Sequence, residues 1–178
     1  MTRRGRLPRV RRIPLRGRRT LLVALILAAA IALRWWQQHS EPPPPETLAE
    51  GDYEVQRVVD GDTLLLSNRA RVRLIGVDAP ETVKPNHPVE PWGPEASELT
   101  RQFVSGGTVR LQLDHERIDR QGRFLAYVWV NGRMLNEELI RAGLGRAELQ
   151  YRYSRTMKDR FRRAEDEAKA AGRGIWSR

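Results

Sequence analysis

Between residues 53 and 130 the apolar positions fall in short runs split by turn-forming residues, which predicts strands. Val55, Val58 and Val59 lead into Asp60-Gly61, a strong hairpin dipeptide, and residues 64–66 form the returning strand. Val72, Leu74, Ile75 and Val77 predict a third strand. Residues 93–104 read as a helix, with Pro94 near its start and Gly106-Gly107 past its end. Residues 108–113 and 124–130 predict two more strands, the second closed by Asn131-Gly132. Leu135, Leu139 and Ala142 then share one helical face, with Gly143 as a stop. Met157, Phe161, Ala164, Ala168 and Ala171 recur at steps of three and four, the pattern of an amphipathic helix. Ile175 and Trp176 are expected to plug the core after it. The order of three strands, helix, two strands and two helices predicts an α+β, mainly β domain, a short barrel with helices packed on it.

Ahead of this domain the pattern changes. Residues 1–20 form a basic tail, and residues 21–36 form a membrane anchor or signal segment. Its apolar run, residues 21–33, is short against the roughly 20 residues of a spanning helix and matches a signal-peptide core in length. Ala30-Ile31-Ala32 offers a small-x-small cleavage pattern, whereas snorkelling of Arg34 and the Trp35-Trp36 pair at an interface favour an uncleaved anchor. Both readings keep the arginine-rich flank inside and carry the domain across the membrane, there to be anchored or secreted. Residues 37–50, with the run Pro42-Pro43-Pro44-Pro45, read as a stiff extended linker, and residues 51–178 as the folded domain.

Charge sharpens this division. The net charge of +10 resides in residues 1–40, which hold ten arginines and no acidic residue. The rest carries 22 basic and 22 acidic residues, so any basic surface for nucleic acid in the domain must be local. Cysteine is absent, which excludes disulfides, thiolate metal sites and cysteine nucleophiles. The three histidines are not spaced as a pair, which argues against zinc.

The candidate chemistry lies at the ends of the predicted strands. Asp62, Asp78 and Glu81 are hard oxygen ligands or bases. Arg73 and Arg123 are planar forks of donors that fit a phosphate. By strand alternation Arg73 shares a face with Ile75 and Val77, which points it to a shielded place. Carboxylates for a hard cation beside arginines for a phosphodiester are the parts of metal-assisted phosphate chemistry. Each motif alone also reads as turn or loop chemistry. A non-catalytic OB-fold nucleic-acid-binding module and a membrane-bound adaptor are the alternatives.

Five motifs in order, from Tyr53 to Trp176, resemble the staphylococcal-nuclease-like (thermonuclease) family. They are Val59-Asp60-Gly61-Asp62-Thr63, the stretch from Arg73 to Thr82, Gly93-Pro94-Glu95-Ala96, the stretch from Asp119 to Val128, and Gly174-Ile175-Trp176. The resemblance implies a five-stranded OB-type barrel with three α-helices, preceded here by an N-terminal hydrophobic helix. It implies hydrolysis of phosphodiesters in DNA or RNA with one Ca²⁺ ion and no obligate protein partner. Asp62 and Asp78 would give carboxylate oxygens to the cation, and Ala79, where many members have Thr, its main-chain carbonyl. Glu81 would hold or deprotonate the attacking water, and Arg73 and Arg123 would clamp the phosphate. Tyr151 and Tyr153 would bind substrate by stacking on a base, shifted from the family's tyrosines. Gln121 stands where the family pattern has an aromatic that touches a substrate phosphate.

Overall fold

The computed structural model describes residues 15–39, 43–82 and 89–177. The chain divides into two compact units, residues 1–43 and 44–178. In the first, helix α1 spans Leu15–His39, and Leu22, Ile26, Leu33 and Trp36 on it are exposed. The basic tail through residue 14 and the first linker proline, Pro42, lie outside the described residues. Among the described residues no helix is long and apolar enough to cross a membrane. The physical reason is length, because Arg19 and Arg34 bracket an apolar run well below the roughly 20 residues a bilayer core requires.

The second unit is the barrel. Strand β1 (Gly51–Asp60) pairs antiparallel with β2 (Thr63–Leu66), and β2 with β3 (Arg71–Leu74). The third predicted strand does not run on to Val77. It breaks at Gly76, whose φ of 71° is left-handed and where a Cβ would come within 2.8 Å of Phe161 and Tyr153. Val77–Asp78 is a separate short strand, β4. Helix α2 (Gly93–Phe103) follows, then β5 (Thr108–Gln112) and β6 (Phe124–Val130). Strand β1 pairs with β5 through Gly51–Glu54 and with β2 through Val55–Asp60, and register shifts within its second half bend it. The barrel closes where β3 lies parallel to β6, Val72 opposite Phe124. The five strands β1, β2, β3, β5 and β6 thus form the expected barrel.

Strand β7 (Arg133–Met134) leads into α3 (Leu135–Arg141), β8 (Arg146–Ala147) pairs with β4, and α4 (Arg155–Ala170) ends the fold with a 3₁₀ turn, Gly174–Trp176. Alternation on β5 buries Val109 and Leu111 and exposes Thr108, Arg110 and Gln112. Phe161 of α4 is fully buried and meets Tyr127 edge-on at 6.2 Å. Asn136 of α3 is fully buried as well. Its Oδ1 accepts the Val128 N–H at 2.9 Å, and its Nδ2 donates to the Ile75 and Ala126 carbonyls at 3.0 and 3.3 Å. This one amide ties the end of β3 and the middle of β6 to α3 by pairing with their backbone groups. Ile175 and Trp176 are half-buried rather than core plugs. The Trp176 ring is met by the Arg146 guanidinium at 4.7 Å and by the Lys169 ammonium at 4.6 Å.

Candidate active site

The β1–β2 turn is the pivot of the site. Asp60 pairs with Thr63 across it, leaving Gly61 and Asp62 as the loop. A Cβ on Gly61 would lie 2.8 Å from the Ala96 Cβ and 2.9 Å from the Ala79 Cβ, so glycine is what lets α2 and the residues after β4 close on the turn. The buried Asp60 carboxylate accepts the Gly61 N–H at 2.8 Å and the Thr82 hydroxyl at 2.6 Å. The Thr100 hydroxyl donates to the Gly61 carbonyl at 2.6 Å. Turn, helix and the segment after β4 are therefore one hydrogen-bonded unit. Asp62, 4% exposed, is fixed within it: Oδ1 accepts the Thr63 hydroxyl at 3.0 Å and Oδ2 the Ala79 N–H at 2.9 Å.

The β2–β3 register sets Thr63 opposite Arg73, which brings the guanidinium beside Asp62 in an ion pair. Nη2 of Arg73 donates to Asp78 Oδ1 at 3.3 Å and lies 3.8 Å from Glu148 Oε2. Burial, and after it the charge of Arg123, lower the Arg73 pKa, while Asp78 and Glu148 oppose them. A guanidinium keeps its charge under such shifts. On the other side of the groove the loop between β5 and β6 presents Arg123. Asp119 accepts the N–H groups of Gln121 and Arg123, both at 2.9 Å, and Arg123 Nε at 2.6 Å. Burial pushes the Asp119 carboxyl up, but these hydrogen bonds outweigh it and hold the group below the usual carboxylate range. Arg73, Asp78, Arg123, Glu148 and Tyr151 line one groove of about 920 Å³.

Of the residues singled out in the sequence, Arg73, Asp62 and Asp78 are in contact, Ala79 joins them through its N–H, and Arg123 faces the same groove. Glu81 is not on the groove wall. It lies two residues past Ala79, where its N–H donates to Glu90 Oε2 at 3.1 Å and its carbonyl accepts the Glu90 N–H at 2.9 Å. The two tyrosines differ. Tyr151 is 54% exposed on the groove, whereas Tyr153 is 7% exposed, its ring 6.0 Å from that of Phe161, with Lys158 at 5.1 Å. Burial raises the Tyr153 hydroxyl pKa, and the charge of Glu148 adds to this.

Glu148 was not among the sequence candidates. It follows β8, and its N–H donates to the Gly76 carbonyl at 3.0 Å. Burial, then the charge of Asp78, raise its carboxyl pKa. Its only sequence signal was an acid in a polar stretch, and a two-residue strand pair carries no readable period.

Among the described residues no group of three or more His, Asp or Glu side chains could hold a metal ion. A smaller set is present: two carboxylates, Asp62 and Asp78, that meet the same guanidinium, next to the main chain of Ala79. These are hard oxygens, and calcium, which completes its shell with water, suits so short a protein ligand set.

The family model described as Staphylococcal nuclease homologue matches residues 71–178. The chain is 44% identical over 131 residues to a thermonuclease of Staphylococcus hyicus, covering 72% of this chain and 77% of that protein. It is 44% identical over 129 residues to the thermonuclease of Staphylococcus intermedius, covering 71% and 76%. It is also 39% identical over 128 residues to endonuclease YncB of Bacillus subtilis (strain 168), covering 70% and 61%.

Proposed function

The chain belongs to the staphylococcal nuclease family, and from that premise we propose that it is a calcium-dependent nuclease that hydrolyses phosphodiester bonds in DNA or RNA. The observation that carries this reading is the groove itself, where two arginines face the same space beside a pair of carboxylates. Relatives named thermonuclease and endonuclease support the activity.

In this reading Asp62, Asp78 and the Ala79 carbonyl hold the cation. Bound calcium supplies a Lewis acid for the phosphate oxygens. Arg73 and Arg123 orient the phosphate through paired N–H donors and stabilise the charge that grows on it at the transition state. Glu81 orients or deprotonates the attacking water from the loop beside the cation ligands. Tyr151 is the tyrosine whose ring is open to a base; Tyr153 supports the groove floor from the core. The arginine-rich flank and the apolar run of α1 direct the domain out of the cytoplasm, held at the membrane or released.

Nuclease assays of the purified chain on single- and double-stranded DNA and on RNA test the activity. Cleavage that requires calcium and disappears with chelator is expected; full cleavage in excess chelator sinks the calcium assignment. Protease added to intact cells is expected to digest the domain, and complete protection in the face of a cleaved surface control counts against export.

A further inference from the structure

Arg73 and Arg123, the two groove arginines assigned to the phosphate, are backed in unlike ways. Arg123 has a carboxylate of its own, Asp119, at 2.6 Å. Arg73 meets three: Asp62, Asp78 and, at 3.8 Å, Glu148. Two of these are the carboxylates assigned to the cation. Their charge and lone pairs cannot serve a divalent ion and a guanidinium at full strength together. Glu148 is the acidic partner of Arg73 that is not assigned to the cation, and Arg73 is the arginine it lies nearest in charge and contact, with Arg123 next.

We propose that Glu148 is the positioning residue for Arg73, the counterpart of Asp119 at Arg123, holding the guanidinium in the groove with its free edge toward the phosphate. The inference rests on the nuclease reading above. The placement is built into the fold. The β4–β8 pair sets Val77 against Ala147, and the Glu148 N–H reaches the Gly76 carbonyl at 3.0 Å, so Glu148 is fastened to the strand end just past Arg73. Its side chain is 21% exposed and that of Arg73 14%, so the pair is shielded from solvent screening. The need is also visible. Arg73 and Arg123 repel each other across the groove, and burial disfavours the charge of Arg73. An anion that stays with Arg73 offsets both. At 3.8 Å the pair is looser than Arg123 with Asp119, so Glu148 orients Arg73 while leaving its donors available to a phosphate.

The test is a double-mutant cycle on the purified chain, with turnover, KM, calcium affinity and melting temperature measured for wild type, Glu148→Ala, Glu148→Gln, Arg73→Lys and Glu148→Ala/Arg73→Lys. Glu148→Ala should lower kcat by about tenfold with KM within about twofold, the mark of an interaction made in the transition state. Glu148→Gln, which keeps the size but not the charge, should fall close to Ala, because at 3.8 Å the contact with Arg73 is an ion pair without a hydrogen bond and the charge carries it. Calcium affinity and melting temperature should hold. In the Arg73→Lys background Glu148→Ala should have little further effect, since residues acting through one another are non-additive. Independent, multiplicative losses overturn the proposal, as does normal turnover in Glu148→Ala. A tenfold loss of calcium affinity also overturns it, by making Glu148 a ligand. Wild type without nuclease activity removes the functional reading and this inference with it, an outcome distinct from an active wild type with an indifferent Glu148.

Discussion

Among the described residues, two grooves of nearly equal size, about 920 and 950 Å³, differ in chemistry. The larger lies over the start of β1, the exposed face of β5 and the β6–β7 turn. Its polar groups serve one another: Trp129 Nε1 donates to Gln112 at 3.0 Å, Glu50 accepts the Leu113 N–H at 2.9 Å, and Arg110 lies 3.9 Å from Asp52. The smaller lies where β3 ends and β6 begins, and four arginines, Arg73, Arg120, Arg123 and Arg152, line it together with carboxylates. Volume therefore assigns nothing here. What separates the grooves is topology. The flank of β5 offers one side chain in two to solvent, in a row, whereas a barrel seam gathers loops and strand ends from remote parts of the chain and can converge many charged groups of both signs on one point. Charged groups crowded into a partly buried groove perturb one another, as Arg73 and Glu148 do, and such perturbation marks a candidate functional place.

The sharpest way to break this contrast is to exchange arginine for lysine in both grooves. Arg73→Lys and Arg123→Lys keep the charge but lose the bidentate geometry, and each should lower turnover by about 10²–10³-fold, the scale of losing one transition-state donor. Arg110→Lys in the larger groove should leave turnover within about twofold of wild type. Comparable losses in all three variants would make the groove distinction meaningless, and near-normal rates for Arg73→Lys and Arg123→Lys would place those residues outside the chemistry.

The same contrast explains what was legible in the sequence. Strand β6 coincides with its predicted residues, because a run of 7 apolar residues rich in aromatic and β-branched side chains and bounded by turns is too short for a typical helix. Asp62 and Arg73 were found because turn dipeptides and alternation are local rules. The break of the third strand at Gly76 was missed, because apolar residues continue through it and the cause is the later-packed rings of Tyr153 and Phe161. Tyr153 looked like Tyr151 in sequence; only α4 packing buries one and leaves the other exposed. Ile175 and Trp176 looked like core because they are large and apolar, yet two cations cover the indole from outside the core. Glu148 and Asn136 act across long sequence separations on backbone carbonyls near Gly76, and no periodicity encodes that.

Glu81 tests whether the chemistry extends past the groove wall. The residue lies off that wall, on the segment held to the β1–β2 turn by the Thr82–Asp60 hydrogen bond at 2.6 Å and to Glu90 through its own backbone. That anchoring fixes the main chain through Thr82, Asp60, Glu90 and the Glu81 backbone, and Gln keeps the size and shape of Glu, so Glu81→Gln should fold with a nearly unchanged melting temperature. If the carboxylate orients or deprotonates the attacking water, the amide should cut turnover by about 10²-fold, the scale of general-base assistance. Calcium affinity should fall less, because Asp62 and Asp78 remain. Substrate affinity should be kept, because Arg73 and Arg123 still face the phosphate. A reading in which Glu81 is only a turn residue behind Pro80 predicts the reverse, a small loss of stability with full turnover. Turnover, calcium binding and melting temperature on one preparation separate the two. Full turnover in folded Glu81→Gln would confine the chemistry to the groove wall and leave the activation of water to a residue there.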